Sequence, residues 1–85
     1  MLRLWINSQE VRQVMSFDIN TCLTAGYIET QEVNASFLMT PTPRIGEVLL
    51  RLDTGKTEFA GQGRIVSINC REDLILMSWR GTLGG

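Results

Sequence analysis

The chain has 85 residues, 44% of them hydrophobic, with eight basic and nine acidic side chains and a formal net charge of −1. This fits one folded domain with a thin core and argues against disorder; the near-neutral balance supplies no basic field to draw nucleic acid or an anionic membrane. There is no His, which removes the commonest general base, the commonest zinc ligand and every His-activated nucleophile.

Taken in chain order, the hydrophobic period is two almost throughout. Leu2, Leu4 and Ile6 alternate with Arg3 and Trp5, and Asn7-Ser8-Gln9-Glu10 reads as a polar turn. Val11, Gln13, Met15, Phe17 and Ile19 then share one face. The β-branched residues and the preceding turn favour a hairpin over a helix at residues 9–16. Asn20-Thr21 breaks the pattern. Residues 22–30 are apolar around Ala25-Gly26, where the glycine predicts a bulge or bend.

Val33, Ala35, Phe37 and Met39 form the next alternating face. It stops at Thr40-Pro41-Thr42-Pro43, because two prolines lack ladder N–H groups and fix φ. Ile45-Gly46-Glu47 opens an apolar strand, Val48 to Leu52. Asp53-Thr54-Gly55-Lys56 reads as a tight hairpin, with Gly55 placed for positive φ. The return strand starts near Thr57 and runs through Gly61 and Gly63, a pair that lets a strand coil sharply, to Ile65, Val66 and Ile68. Arg71-Glu72-Asp73 is the last turn, Leu74 to Trp79 the last strand, and Gly81 to Gly85 a frayed tail.

These short strands, with turn signals at regular spacing, predict an all-β fold. The expected architecture is a small antiparallel β-barrel of about six strands, formed by residues 1–85 as a single domain. Closure would remove the edges that a chain rich in Val, Ile, Leu and Phe would otherwise expose. The residues Met1 to Trp5 lack the long apolar core of a signal peptide, and no run reaches the ~20 residues of a membrane span, so a cytoplasmic location without membrane contact is expected. Cys22 and Cys70 make neither a CxxC nor a metal pair. Each lies in an apolar stretch, which predicts buried free thiols, with a single disulfide as the alternative.

Asp53-Thr54-Gly55 after an apolar strand has the form of an aspartic-protease motif, in which two copies pair their carboxylates. Lys56 and Arg51 depart from that pattern, and a hairpin turn accounts for the same residues. Gly61-Gln62-Gly63 lacks the following helix that a phosphate cradle needs. Asn34-Ala35-Ser36 matches a glycosylation sequon by chance, and the scattered carboxylates read as solvated surface. Seven of the eight basic residues are Arg, the side chain that grips carboxylate and phosphate in a fork. Arg3, Trp5, Arg12, Phe59, Arg64, Trp79 and Arg80 are the residues a nucleic-acid-binding barrel would use.

Three stretches, Val33-Asn34-Ala35-Ser36, Pro43-Arg44-Ile45-Gly46-Glu47-Val48-Leu49-Leu50-Arg51-Leu52 and Phe59-Ala60-Gly61-Gln62-Gly63-Arg64-Ile65-Val66, resemble the PilZ domain over roughly half the chain. The resemblance implies a six-stranded barrel. Most members of that family bind cyclic di-GMP through an RxxxR motif and a later [DN]xSxxG. Here only Asn34 and Ser36 match the second motif. Met39 stands at its glycine position, the rival Asp18-Ile19-Asn20 lacks the serine, and no two arginines have the RxxxR spacing. The resemblance therefore implies a degenerate member that does not take the dinucleotide by the usual contacts and binds protein instead.

The expected function is a non-catalytic regulatory or adaptor module that works through protein–protein contacts, with no cofactor and no metal. Sheet edges, the TPTP loop and exposed tryptophans are its expected means, and Trp5, Pro41, Pro43, Arg44 and Trp79 its expected contact residues. The alternative is a nucleic-acid-binding barrel of the OB or SH3 kind. A homo-oligomer is expected in either case, because a thin core gains from an apolar interface.

Overall fold

The computed structural model describes residues 2–11, 13–24, 28–38 and 43–84. They form seven strands: β1 (Arg3–Ile6), β2 (Gln9–Glu10), β3 (Val14–Thr24), β4 (Ile28–Leu38), β5 (Gly46–Asp53), β6 (Glu58–Arg71) and β7 (Leu74–Gly84). All pairings are antiparallel and all belong to one sheet, ordered β2-β1-β5-β6-β7-β4-β3. The all-β, antiparallel expectation holds, with no helix among the described residues.

The barrel does not. Closure requires the first and last strands to run alongside each other at a common tilt. Here β1 has four residues, its outer side is taken by the two-residue β2, and no ladder joins either to the 11-residue β3 among the described residues. The sheet is nonetheless rolled. Six strand spacings in a flat sheet would separate β2 from β3 by about 29 Å, yet only Val11 to Gln13 link them, a reach of roughly 14 Å. The shortest molecular extent, 19 Å, is likewise too thick for one flat layer and fits a sheet folded over its own core.

That core lies on the concave face. Leu4, Val33, Phe37, Leu50, Leu52, Ile65, Ile75 and Trp79 are fully buried there, with Val11, Ala35, Val48 and Met77 beside them. Each strand except the two-residue β2 contributes residues from one face, the period-two signature of a sheet with one buried face. Two bulges shift that alternation. In β3 the register slips between Val14 and Ser16, so Val14, Phe17 and Ile19 pack on the core while Met15 is exposed. In β6 it slips between Ile65 and Ser67, which puts Ile65 and Ile68 inward and leaves Val66 outside.

The turns form by local chemistry. Asn7 and Ser8, both at positive φ, reverse the chain in two residues between β1 and β2. In the β5–β6 turn Gly55 has φ +90°, its N–H donates to Asp53 Oδ1 at 2.7 Å, and Thr54 Oγ1 accepts from Lys56 N and Thr57 N. Glu72-Asp73 closes the β6–β7 hairpin, Arg71 facing Leu74.

Three other expectations are corrected. Asn20-Thr21 is no break: β3 runs through it, with Asn20 facing Glu32 and Thr21 facing Gln31. The glycine tail is strand rather than frayed, since β7 continues to Gly84 opposite Ala60. The cysteines are free but not buried: Cys22 is half-buried and Cys70 exposed. The expected bend at Ala25-Gly26 lies outside the described residues.

Candidate functional site

Main-chain hydrogen bonding decides where this sheet can take a partner. Along β5, Asn7 N donates to Leu49 O at 2.9 Å and Leu49 N donates to Asn7 Oδ1 at 2.8 Å. Leu49 thus directs both main-chain groups toward β1. In an antiparallel strand these groups alternate sides, so Glu47 directs its N–H and C=O the same way. But β1 ends at Ile6, opposite Leu50, and no described strand lies beside Glu47 on that side. The first residues of β5 are an open edge.

This edge forms one wall of a cleft of about 370 Å3. Pro43, Arg44, Ile45 and Gly46 line it on the β5 side, and Ile6, Asn7, Gln9 and Glu10 line it from the β1–β2 hairpin. Val11 and Val48, both nearly buried, line it as well and give it an apolar floor, with Ile45 60% exposed at the rim. Gly46 has φ +143°, a conformation that L side chains rarely adopt, and it turns the chain from Ile45 into β5.

Of the five expected contact residues, Pro43 and Arg44 line this cleft, half-buried and exposed respectively. Pro41 lies outside the described residues, as does Arg12. Trp79 is fully buried in the core and is corrected from contact residue to core residue. Its indole lies over the Gly63–Gly81 pair of β6 and β7: a Cβ on Gly63 would stand 2.6 Å from its Cζ2, and one on Gly81 2.7 Å from its Cη2.

Trp5 is half-buried on the outer face. The Arg3 and Arg51 guanidinium carbons each stand 4.7 Å from its ring centroid. Both arginines are themselves paired. Arg3 grips Glu10 through Nε at 2.8 Å and Nη2 at 3.0 Å, and Arg51 Nη2 meets Glu58 at 3.2 Å. The row Glu10, Arg3, Trp5, Arg51, Glu58 is therefore a mixed-charge ladder. Arg80 is also matched, donating to Glu32 at 2.9 Å, and Asn34 Nδ2 donates to the same carboxylate at 3.2 Å. The hydrogen bond from Arg3 holds Glu10 below its ordinary pKa, and those from Arg80 and then Asn34 do the same for Glu32.

Asn34 and Ser36, the two residues that match the PilZ motif, sit in a shallow polar depression of about 180 Å3 on the outer face, with Ser16, Asp18, Ser67, Asn69 and Ser78. Both are engaged by neighbours: Ser78 Oγ donates to Asn34 Oδ1 at 2.6 Å, and the Ser16 and Ser36 hydroxyls are 2.8 Å apart. The Asp53 carboxylate caps its own turn through Gly55 N. Among the described residues no three His, Cys, Asp or Glu side chains gather as a metal site, and no helix is long and apolar enough to cross a membrane.

Sequence reasoning missed Ile6, Asn7, Val11 and the open edge at Glu47. The available signal was Asn7, an Asn after an apolar strand, which can hydrogen-bond a neighbouring main chain. Comparisons with protein-family models, with curated proteins and with solved structures find no match.

Proposed function

We propose that the chain is a non-catalytic binding module that takes a short extended segment of a partner protein into the cleft between the β1–β2 hairpin and Pro43–Val48. The observation that carries this reading is the open edge at Glu47 beside an apolar-floored cleft. Main-chain groups there can pair with an added strand, and the floor of Val11 and Val48 can take one of its apolar side chains. The rim carries Arg44, Glu47 and Glu10, a mixed set that suits a peptide of balanced charge. A PilZ-like ancestry with a degenerate ligand site remains part of this reading, and Asn34 and Ser36 then serve the sheet rather than a dinucleotide.

The nucleic-acid alternative has the weaker support. A stacking platform needs aromatic rings open to bases and arginines free for phosphates. Trp79 is buried, and Arg3, Arg51 and Arg80 each hold a carboxylate.

The test is selection of peptides from a random library on the full chain, followed by amide chemical shifts. The expected result is shifts centred on Glu47, Asn7 and Val11, and binding abolished by Ile45→Asp at its exposed rim position. Shifts confined to the Trp5 face would overturn the reading. So would retention on single-stranded nucleic acid that weakens with salt and is lost in Trp5→Ala.

A further inference from the structure

Two opposite charges line the cleft at Glu47, and neither is paired within the fold. Arg44 and Glu47 are both exposed and have no ion-pair partner among the described residues, whereas Glu10, the third charge lining the cleft, is held by Arg3. Arg64, the ladder partner of Glu47, stands on the β6 side of it, away from the open edge, and faces Arg80 as well. The two positions flanking Glu47 differ in size. Val48 is a nearly buried floor, whereas Gly46 presents no side chain, and a Cβ built there would meet no atom within 4 Å. Charge and space along Arg44-Ile45-Gly46-Glu47-Val48 therefore form a template with a direction.

A strand added antiparallel to β5 meets that template in reverse. Every ladder of this sheet is antiparallel, and in such a pair two opposed residues can exchange both main-chain bonds. Glu47 can thus hold one partner residue by itself. The partner residue before that one lies opposite Val48, with its side chain on the floor of Val11 and Val48. The residue after it lies opposite Gly46, inward again, where there is room for bulk. The residue opposite Glu47 points outward beside a carboxylate, and the one three positions later reaches Arg44. Resting on the strand-addition reading above, we propose that the cleft selects segments by charge order. In such a segment an apolar residue is followed by a basic one, then a second apolar one, with an acidic residue three positions after the basic one, and the segment runs antiparallel to β5. Parallel addition would need the acidic residue first, so charge order and strand direction are one claim.

Two end-blocked peptides of identical composition test this on the full chain. One carries an apolar residue, lysine, an apolar residue, serine and glutamate in that order, and the other has the lysine and glutamate exchanged. Followed by the Glu47 amide shift, the first should bind about tenfold more tightly at low salt, and the preference should shrink as salt is raised, because the charges at the rim are exposed. The double variant Arg44→Glu, Glu47→Lys should prefer the second peptide. A nitroxide on the N-terminal end of the first peptide should broaden the amides of Asn7 and Ser8, and one on its C-terminal end those of Arg44 and Ile45. Equal binding of both peptides with Glu47 shifted by each, or the opposite nitroxide pattern, would overturn the charge-order proposal and leave strand addition standing. No shift at Glu47 with either peptide would overturn strand addition and the proposal with it.

Discussion

Trp79 shows how one side chain can be misassigned by its neighbours in sequence. At the expected end of the last strand it looks like a residue open to a partner; in the fold, Gly81 and Gly63 are the surface on which its ring lies. Its Nε1 is buried without a hydrogen-bond partner, an arrangement that costs roughly 1–3 kcal/mol. Trp79→Ala should therefore lose about 3–5 kcal/mol to the cavity, whereas Trp79→Phe keeps most of the ring and removes the orphan donor. Urea unfolding should rank Phe well above Ala and within about 2 kcal/mol of the native chain.

Ionisation gives a second test at this scale. The carboxyls of Glu10 and Glu32 titrate below their ordinary value of 4.5 because arginine hydrogen bonds favour the charged form. A carboxylate whose pKa is depressed on folding stabilises the fold above its unfolded pKa, and loses that contribution as pH falls through the folded value. The urea midpoint should hold steady from pH 7 to 5 and decline below about 4.5. The decline should be shallower in Glu32→Gln. Both pairs are exposed, so the effect is small and is reduced further by salt.

At the scale of elements, composition and punctuation carried most of the reading. Asp53-Thr54-Gly55 and Glu72-Asp73 were legible as turns because their side chains or glycine meet a local backbone need. The bulges were not, because one inserted residue leaves composition unchanged while it flips every later side chain to the other face. The inward pairs Val14/Phe17 and Ile65/Ile68, each spaced by three, are the trace they leave. The glycines of β7 read as fraying in the sequence, yet Gly81 is required by close approach and Gly84 is not. A Cβ on Gly81 would stand 2.6 Å from Gln62 O and from Gly63 Cα, both backbone atoms, while at Gly84 the nearest atom is 3.9 Å away. Gly81→Ala should accordingly cost about 1–3 kcal/mol in urea unfolding, and Gly84→Ala less than about 0.5 kcal/mol.

For the whole molecule, the period-two pattern specified an all-β sheet with one buried face, but closure depends on long-range pairing that no local signal encodes. A two-residue β2 cannot bridge to β3, so the sheet rolls over its core and stops open. The candidate site arises elsewhere, where β1 ends at Ile6 and leaves the start of β5 without a described neighbour, which explains why Pro43 and Arg44 were within reach of sequence reasoning while the edge beside them was not. Prolines announce the loop, whereas an unmatched N–H is visible only once the neighbouring strand is known to end.

The most direct measurement is amide hydrogen exchange at Glu47 in the full chain, with and without a peptide selected on it. By strand alternation the Val48 N–H points into the sheet toward β6 and Glu47 N–H toward the open edge. In the free chain Glu47 should exchange far faster than Val48, and saturation with peptide should slow it by about tenfold or more. A Glu47 amide as protected as Val48 in the free chain, or one whose exchange the bound peptide leaves unchanged, would contradict strand addition at this edge.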